Sequence, residues 1–294
     1  MRGVRRAKVM CLEKVNRINQ NCRMDTNFTS PVDQLLRLGD VRNFQTWPDY
    51  LNMGIGLEHI PDLITMSLNQ ELNEADPEST EVWAPVHAWR LLGLLHAQEA
   101  VEALMSLFES DDDWVGEELP EVYGLIGSNA IPALSSYLSN PSHSTSARIT
   151  AAFSLERIGN KNPEARAESI NAITTQLESF EDNDPELNAF LISYLVDLKA
   201  VESAEVIEQA FSADCVDEFV VGDWEDVQID LGLIESRTSP PSYKTFLYNP
   251  LTYEPAGMGF RDSIKPQVSK KAKGKSEKKR KMAKMSRKKN RRRH

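Results

Sequence analysis

From residue 81 to residue 215, apolar side chains recur at helical spacing, but only in short lengths cut by turn formers. A chain written this way must build its core by packing many short helices on one another. In Glu81–Ala97, Trp83, Val86, Trp89, Leu92 and Leu95 form the buried stripe of an amphipathic helix. Val101, Leu104, Leu107 and Phe108 give a second stripe, ended by Ser-Asp-Asp-Asp at 110–113. Leu119, Val122, Tyr123 and Ile126 give a third, with Pro120 expected in its first turn, where proline is tolerated. Further stripes follow at Ile131–Leu138, Ile149–Ile158, Ile170–Leu177, Leu187–Leu198 and Val206–Phe211, and strand-like alternation is almost absent. The expectation is an all-α protein.

The segments also repeat. The helix ends LLGLLHA (91–97), VYGLIGS (122–128), SLERIGN (154–160) and YLVDLKA (194–200) can be laid over one another. Each is followed by a second apolar helix. With Leu95, Ile126, Ile158 and Leu198 taken as equivalent, the steps are 31, 32 and 40 residues, the longest containing NKNPEARAES. A helix–turn–helix unit at that period predicts an α-solenoid of stacked antiparallel helix pairs, in which neighbours bury what no pair can bury alone.

Helix length, period and the small residues near each first-helix end make residues 81–215 resemble HEAT-like repeats, in particular the short kind found in phycobilisome-lyase-type proteins. The Trp, Gly, Tyr and late Pro of tetratricopeptide units do not recur. The runs SPVDQLLRLGD, EVWAPVHAWRLLGLL, DDDWVGEELPEVYGLIG and AFSADCVDEFVVGDWEDVQIDLGL are also similar to an uncharacterised family of bacterial HEAT-like proteins. Some members of that family end in a Cys-rich zinc motif; the C-terminal segment here has no Cys, so that role does not carry over. The resemblance implies a HEAT-like fold and, as a second functional expectation, bilin attachment or chromophore chaperoning of the phycobilisome-lyase kind.

Flanking segments complete the expected division. Residues 1–23 read as a basic disordered leader, either an Arg-rich transit peptide or, preferably, sequence upstream of a true start at Met24. Residues 24–80 read as N-terminal capping helices and residues 216–264 as a C-terminal cap and extended arm, since an open stack needs both ends covered. Residues 265–294 read as a disordered basic tail. No stretch approaches the roughly 20 apolar residues that span a bilayer, and three Cys without a disulfide pattern point to a reducing compartment. The expected location is the cytoplasm, or the nucleus in a nucleated cell.

Charge divides the chain sharply. Its net charge is −10, yet residues 265–294 hold sixteen Lys/Arg against one Glu, while residues 25–264 hold 11 Lys/Arg against 42 Asp/Glu. In the tail, Lys278, Lys279, Arg280, Lys281, Arg287, Lys288, Lys289, Arg291, Arg292 and Arg293 are the expected polyanion contacts, suited to RNA or a ribosome. Without interleaved aromatics they would read phosphate rather than base.

Catalytic constellations do not appear. HExxH, CxxC, GxGxxG, P-loop and GxSxG patterns are all absent, so no catalytic residue, metal site or cofactor is expected. Cys215 stands between Asp214 and Asp217 and reads as a buried structural thiol. The acids are the remaining candidates. Asp111, Asp112, Asp113, Glu117, Glu118 and Glu121 crowd eleven residues, more than helix capping needs. A solvated acidic face is the plain reading. The functional one is a partner-binding patch of Asp112, Asp113, Glu118 and Glu121, anchored by Trp89, Trp114 and Tyr123. Together these features point to a non-enzymatic interaction scaffold whose acidic solenoid takes a protein partner.

Overall fold

The computed structural model describes residues 28–110 and 112–240, and among these every regular element is an α-helix or a 3₁₀ turn. Expectations for 1–23, for the part of the extended arm at 241–264 and for 265–294 fall outside the described residues. Residues 28–59 contain four 3₁₀ turns, at Val32–Arg37, Val41–Asn43, Tyr50–Met53 and Leu57–His59, where helices were expected. Pro31 and Pro48, with Gly39, Gly54 and Gly56, break this stretch too often for a longer helix to propagate. Helices α1 (Ile60–Ser67) and α2 (Gln70–Asn73) follow. None of the described helices is long and apolar enough to cross a membrane.

Eight helices then come in four pairs: α3 (Ala84–Leu94) with α4 (Val101–Met105), α5 (Asp113–Ile126) with α6 (Ile131–Leu138), α7 (Thr145–Lys161) with α8 (Arg166–Leu177), and α9 (Pro185–Asp197) with α10 (Ala204–Ser212). Two short helices, α11 (Glu218–Val221) and α12 (Trp224–Leu231), close the described chain. The contacts order the helices into two layers. In one, α1, α3, α5, α7, α9 and α11 touch in sequence order; in the other, α4, α6, α8, α10 and α12 do so. The core runs through these layers and into the N-terminal turns, with Trp89, Leu92, Leu119, Val122, Leu155, Leu191 and Ile207 essentially inaccessible to water.

The joint within each pair is built the same way. A three-residue 3₁₀ turn, at Gln98–Ala100, Ser128–Ala130, Pro163–Ala165 or Val201–Ser203, leads straight into the second helix. Its last residue is small and buried each time: Ala100, Ala130, Ala165 and Ser203. Ahead of three of the turns the first helix is stopped by a residue with positive φ, His96, Gly127 or Lys199. At His96 and Lys199 the stop is a Schellman closure, in which the amide of Ala97 donates to the Leu92 carbonyl at 3.0 Å and that of Ala200 to Leu195 at 2.9 Å. Helix α7 omits this stop and runs on to Lys161, and together with the twelve-residue α8 this makes the longest repeat step. Between pairs the chain loops instead, and α5, α7 and α9 begin with side-chain caps from Asp112, Ser144 and Asp184.

Small residues set how closely the helices approach. A Cβ on Gly93 would sit 3.2 Å from the Val122 backbone, and one on Gly159 would sit 2.8 Å from Leu198. Pro120 lies in the interior of α5 rather than in its first turn, because Asp112 caps that helix well upstream. Its ring leaves the Gly116 carbonyl without its usual helical partner.

One buried acid sits inside the stack. Glu156 on α7 is 2% exposed. Burial pushes its carboxyl up to about 7, opposed by Arg157 and reinforced by Asp197. A raised carboxyl favours the fold below its unfolded value of about 4.5 and loses that contribution as pH rises through about 7. Glu156→Gln removes the penalty. Urea midpoints should show the wild type losing roughly 3 kcal/mol relative to this variant between pH 5 and pH 8; parallel pH profiles would contradict the assignment.

Candidate functional site

On the layer formed by α3, α5 and α7 lies an open groove of about 420 Å³, lined by Trp47, Leu94, Glu117, Glu118, Glu121, Leu125 and Lys161. Two sets of ion pairs build its walls. Arg90 of α3 donates to both oxygens of Glu118 on α5, at 2.8 and 2.6 Å, and its guanidinium lies 5.0 Å from the Trp47 ring centre. The two side chains are only 7% and 12% exposed. Further along α5, Glu121 meets Arg157 at 3.0 Å and Lys161 at 3.1 Å, both on α7. Gly124 makes room for this, since a Cβ there would strike the Lys161 stem at 2.7 Å.

Beneath Arg90 a polar chain runs into the core. His87 Nε2 lies 2.8 Å from the Gly39 carbonyl and Nδ1 lies 2.6 Å from the Tyr50 hydroxyl. A carbonyl only accepts, so Nε2 carries the proton and Nδ1 accepts from Tyr50. Burial holds the imidazole down at about 4 and pushes the Tyr50 phenol up to about 12, so both are neutral at physiological pH. For Arg90 burial works against the charge, but its bonds to Glu118 outweigh it and raise its pKa.

The sequence-predicted partner residues scatter against this frame. Trp89 and Tyr123 are corrected: both are buried, at 1% and 0% exposure, so neither can anchor a surface partner. Trp89 Nε1 donates to the Ser67 carbonyl at 3.4 Å, and the Tyr123 hydroxyl donates to the Val101 carbonyl at 2.8 Å. Each ties one helix to an earlier segment. Trp114 is half-buried and meets Trp83 edge-on at 5.1 Å. Asp112 is exposed and caps α5 by accepting from the Trp114 amide at 3.0 Å; Asp113 opens that helix. Only Glu118 and Glu121 reach the groove, and both are spoken for by cations on adjacent helices. Two of the six acids, Glu118 and Glu121, are thus taken up by ion pairing between helices.

Trp47, Arg90, Arg157 and Lys161 were not singled out from the sequence. Arg157 and Lys161, four apart on one helical face, are a visible signal of a basic stripe beside an acidic one. Cys215 is half-exposed rather than buried, with its Sγ 3.4 Å from the Ala213 carbonyl. The expected polyanion contacts, Lys278 to Arg293, lie outside the described residues. Among the described residues no group of three or more His, Cys, Asp or Glu could hold a metal ion. No family model, curated protein or solved structure matches the chain.

The groove wall is therefore first an interhelical bolt. Glu118→Gln leaves a buried guanidinium without its counter-charge and is expected to cost about 3–5 kcal/mol in urea unfolding. The double variant Arg90→Met, Glu118→Leu should regain most of that. A Glu118→Gln protein as stable as wild type would show the pair to be idle.

Proposed function

We propose that the chain is a non-enzymatic interaction scaffold: an α-solenoid of HEAT-like helix pairs whose acidic body engages a protein partner and whose basic C-terminal segment contacts a polyanion such as RNA or a ribosome. The observation that carries this reading is the joint repeated in all four pairs, a 3₁₀ turn ending in a small buried residue and leading directly into the second helix. Units joined alike, with the helices of each layer touching in sequence order, follow the logic of a solenoid, which offers long faces rather than an enclosed pocket. The open groove on α3, α5 and α7, with Trp47, Leu94 and Leu125 as its apolar lining, supports placing the protein partner there.

The charge split supports a second contact elsewhere. Sixteen cations among residues 265–294 are enough to neutralise several phosphates and release their counterions. Deleting residues 265–294 from the full chain should abolish salt-sensitive retention on RNA or heparin resin while leaving the helical circular-dichroism spectrum unchanged. Equal retention of the two proteins would refute the role given to that segment.

A further inference from the structure

Beyond the last helix pair, the chain's own segment Arg237-Thr238-Ser239 sits in an acidic cradle at the start of α12. Asp223 and Asp226 form a reciprocal capping box there, with each backbone amide donating to the other's carboxylate at 3.2 Å. Gly222, at φ +87°, leaves space for the Asp226 carboxylate, which a Cβ at that position would strike at 2.6 Å. Into this cradle Arg237 places its guanidinium. It donates to both oxygens of Asp223, at 2.9 and 2.6 Å, and to Asp226 at 2.5 Å. The neighbouring Glu225 takes the next two residues: the Ser239 hydroxyl and amide donate to it at 2.9 and 3.1 Å, and the Thr238 hydroxyl and amide at 2.5 and 3.3 Å. Pro240 then lines a shallow groove with Phe211 and Trp224.

Seven donor bonds from three consecutive residues to three carboxylates are far more than a passing surface contact makes. They fix the point from which the chain continues to its basic end. The same chemistry makes the contact intolerant of added negative charge. Thr238 and Ser239 are exposed, so their hydroxyls can be reached without opening the core. Ser239 is followed directly by Pro240.

We propose that Arg237–Ser239 is a latch and that the Ser239 hydroxyl is a phosphorylation site whose modification releases it. The substrate class of the second reactant is a nucleoside triphosphate, delivered by a protein kinase. Ser239 Oγ forms the new bond to the terminal phosphorus, the bond from that phosphorus to the bridging oxygen of the departing nucleoside diphosphate breaks, and the hydroxyl proton passes to the kinase's catalytic base. The product has lost a donor to Glu225 and carries close to two negative charges beside Asp223, Glu225 and Asp226. Like-charge repulsion at hydrogen-bonding distance then opposes the ion pairs of Arg237. This holds whichever partner the body or the basic segment takes.

Two measurements on the full chain test it. First, the unmodified protein is incubated with labelled ATP and a proline-directed serine kinase as probe, and the label is mapped by mass spectrometry; incorporation at Ser239 that is lost in Ser239→Ala is expected. Label confined to other residues would overturn the site. Second, phosphoserine is installed at position 239, and trypsin cleavage after Arg237 is timed by the appearance of the fragment ending there. A guanidinium held by carboxylates cannot enter a protease cleft, so cleavage should quicken by about tenfold or more on phosphorylation. Glu225→Gln, which loosens the latch without phosphate, should quicken it in the same direction. Unchanged cleavage in the phosphoserine protein, with its helical spectrum intact, would overturn the latch.

Discussion

Ten consecutive residues, Ala84 to Gly93, are buried in α3. A helix buried on every side cannot be stabilised by one partner. It needs α1 on one flank, α5 on the other and 3₁₀ turns of the N-terminal region across its outer face, and each contributes contacts. The rest of the architecture follows from this. A first helix that must be covered on both flanks recruits the first helix of the next pair, which has the same need, and the row of contacts runs on as far as α11. Each large aliphatic side chain sealed in these interfaces contributes on the order of 1.5–3 kcal/mol relative to exposure, so the layers are cemented mainly by ordinary apolar burial.

Polar groups inside the stack fix its register. Arg90 with Glu118, Trp89 with the Ser67 carbonyl, and Tyr123 with the Val101 carbonyl each join neighbouring elements through a bond that only one alignment satisfies. Further along, Arg148 of α7 donates to the Leu138 carbonyl and to Asn183, and Asn183 is bonded to Gln176 and Asn188. A buried donor left without such a partner costs more than the bond contributes when made, so a slipped interface is penalised at each of these points. Glu156 and Ser169 are exceptions, each with a buried side-chain oxygen that makes no hydrogen bond.

Much of this was legible in the sequence, for definite reasons. The period of 3.6 residues in stripes such as Leu187, Leu191 and Leu195 placed the helices, and the steps of 31, 32 and 40 residues between overlaid helix ends gave the pairing. Trp89 and Tyr123 belonged to those same stripes; their stripe positions were the better guide to burial than their aromatic character. What stayed hidden was non-local. Nothing near Glu118 announces Arg90, 28 residues earlier, or shows that Glu121 faces Arg157 and Lys161, so a set of ion pairs looked like a surplus of charge. Residues 28–59 departed from the expected helices because their Gly and Pro residues permit only short 3₁₀ turns, which carry no helical periodicity, whereas α1 and α2 formed further on in the same segment. The clasp at Arg237 was invisible for the opposite reason: its partners are close in sequence, but a turn through Gly232 has to bring them together.

The proposed solenoid has a consequence that a compact globule does not share. Damage at one end should stay at that end. Ile207 is fully buried in α10, and Ile207→Ala should cost about 2–5 kcal/mol locally. Native-state hydrogen exchange on this variant is therefore expected to show amide protection in α9 to α12 falling by about a hundredfold or more, with α3 and α5 close to wild type. Uniform loss of protection from α3 through α12 would mean that the helices fold as a single inseparable unit, contrary to a stack of neighbours.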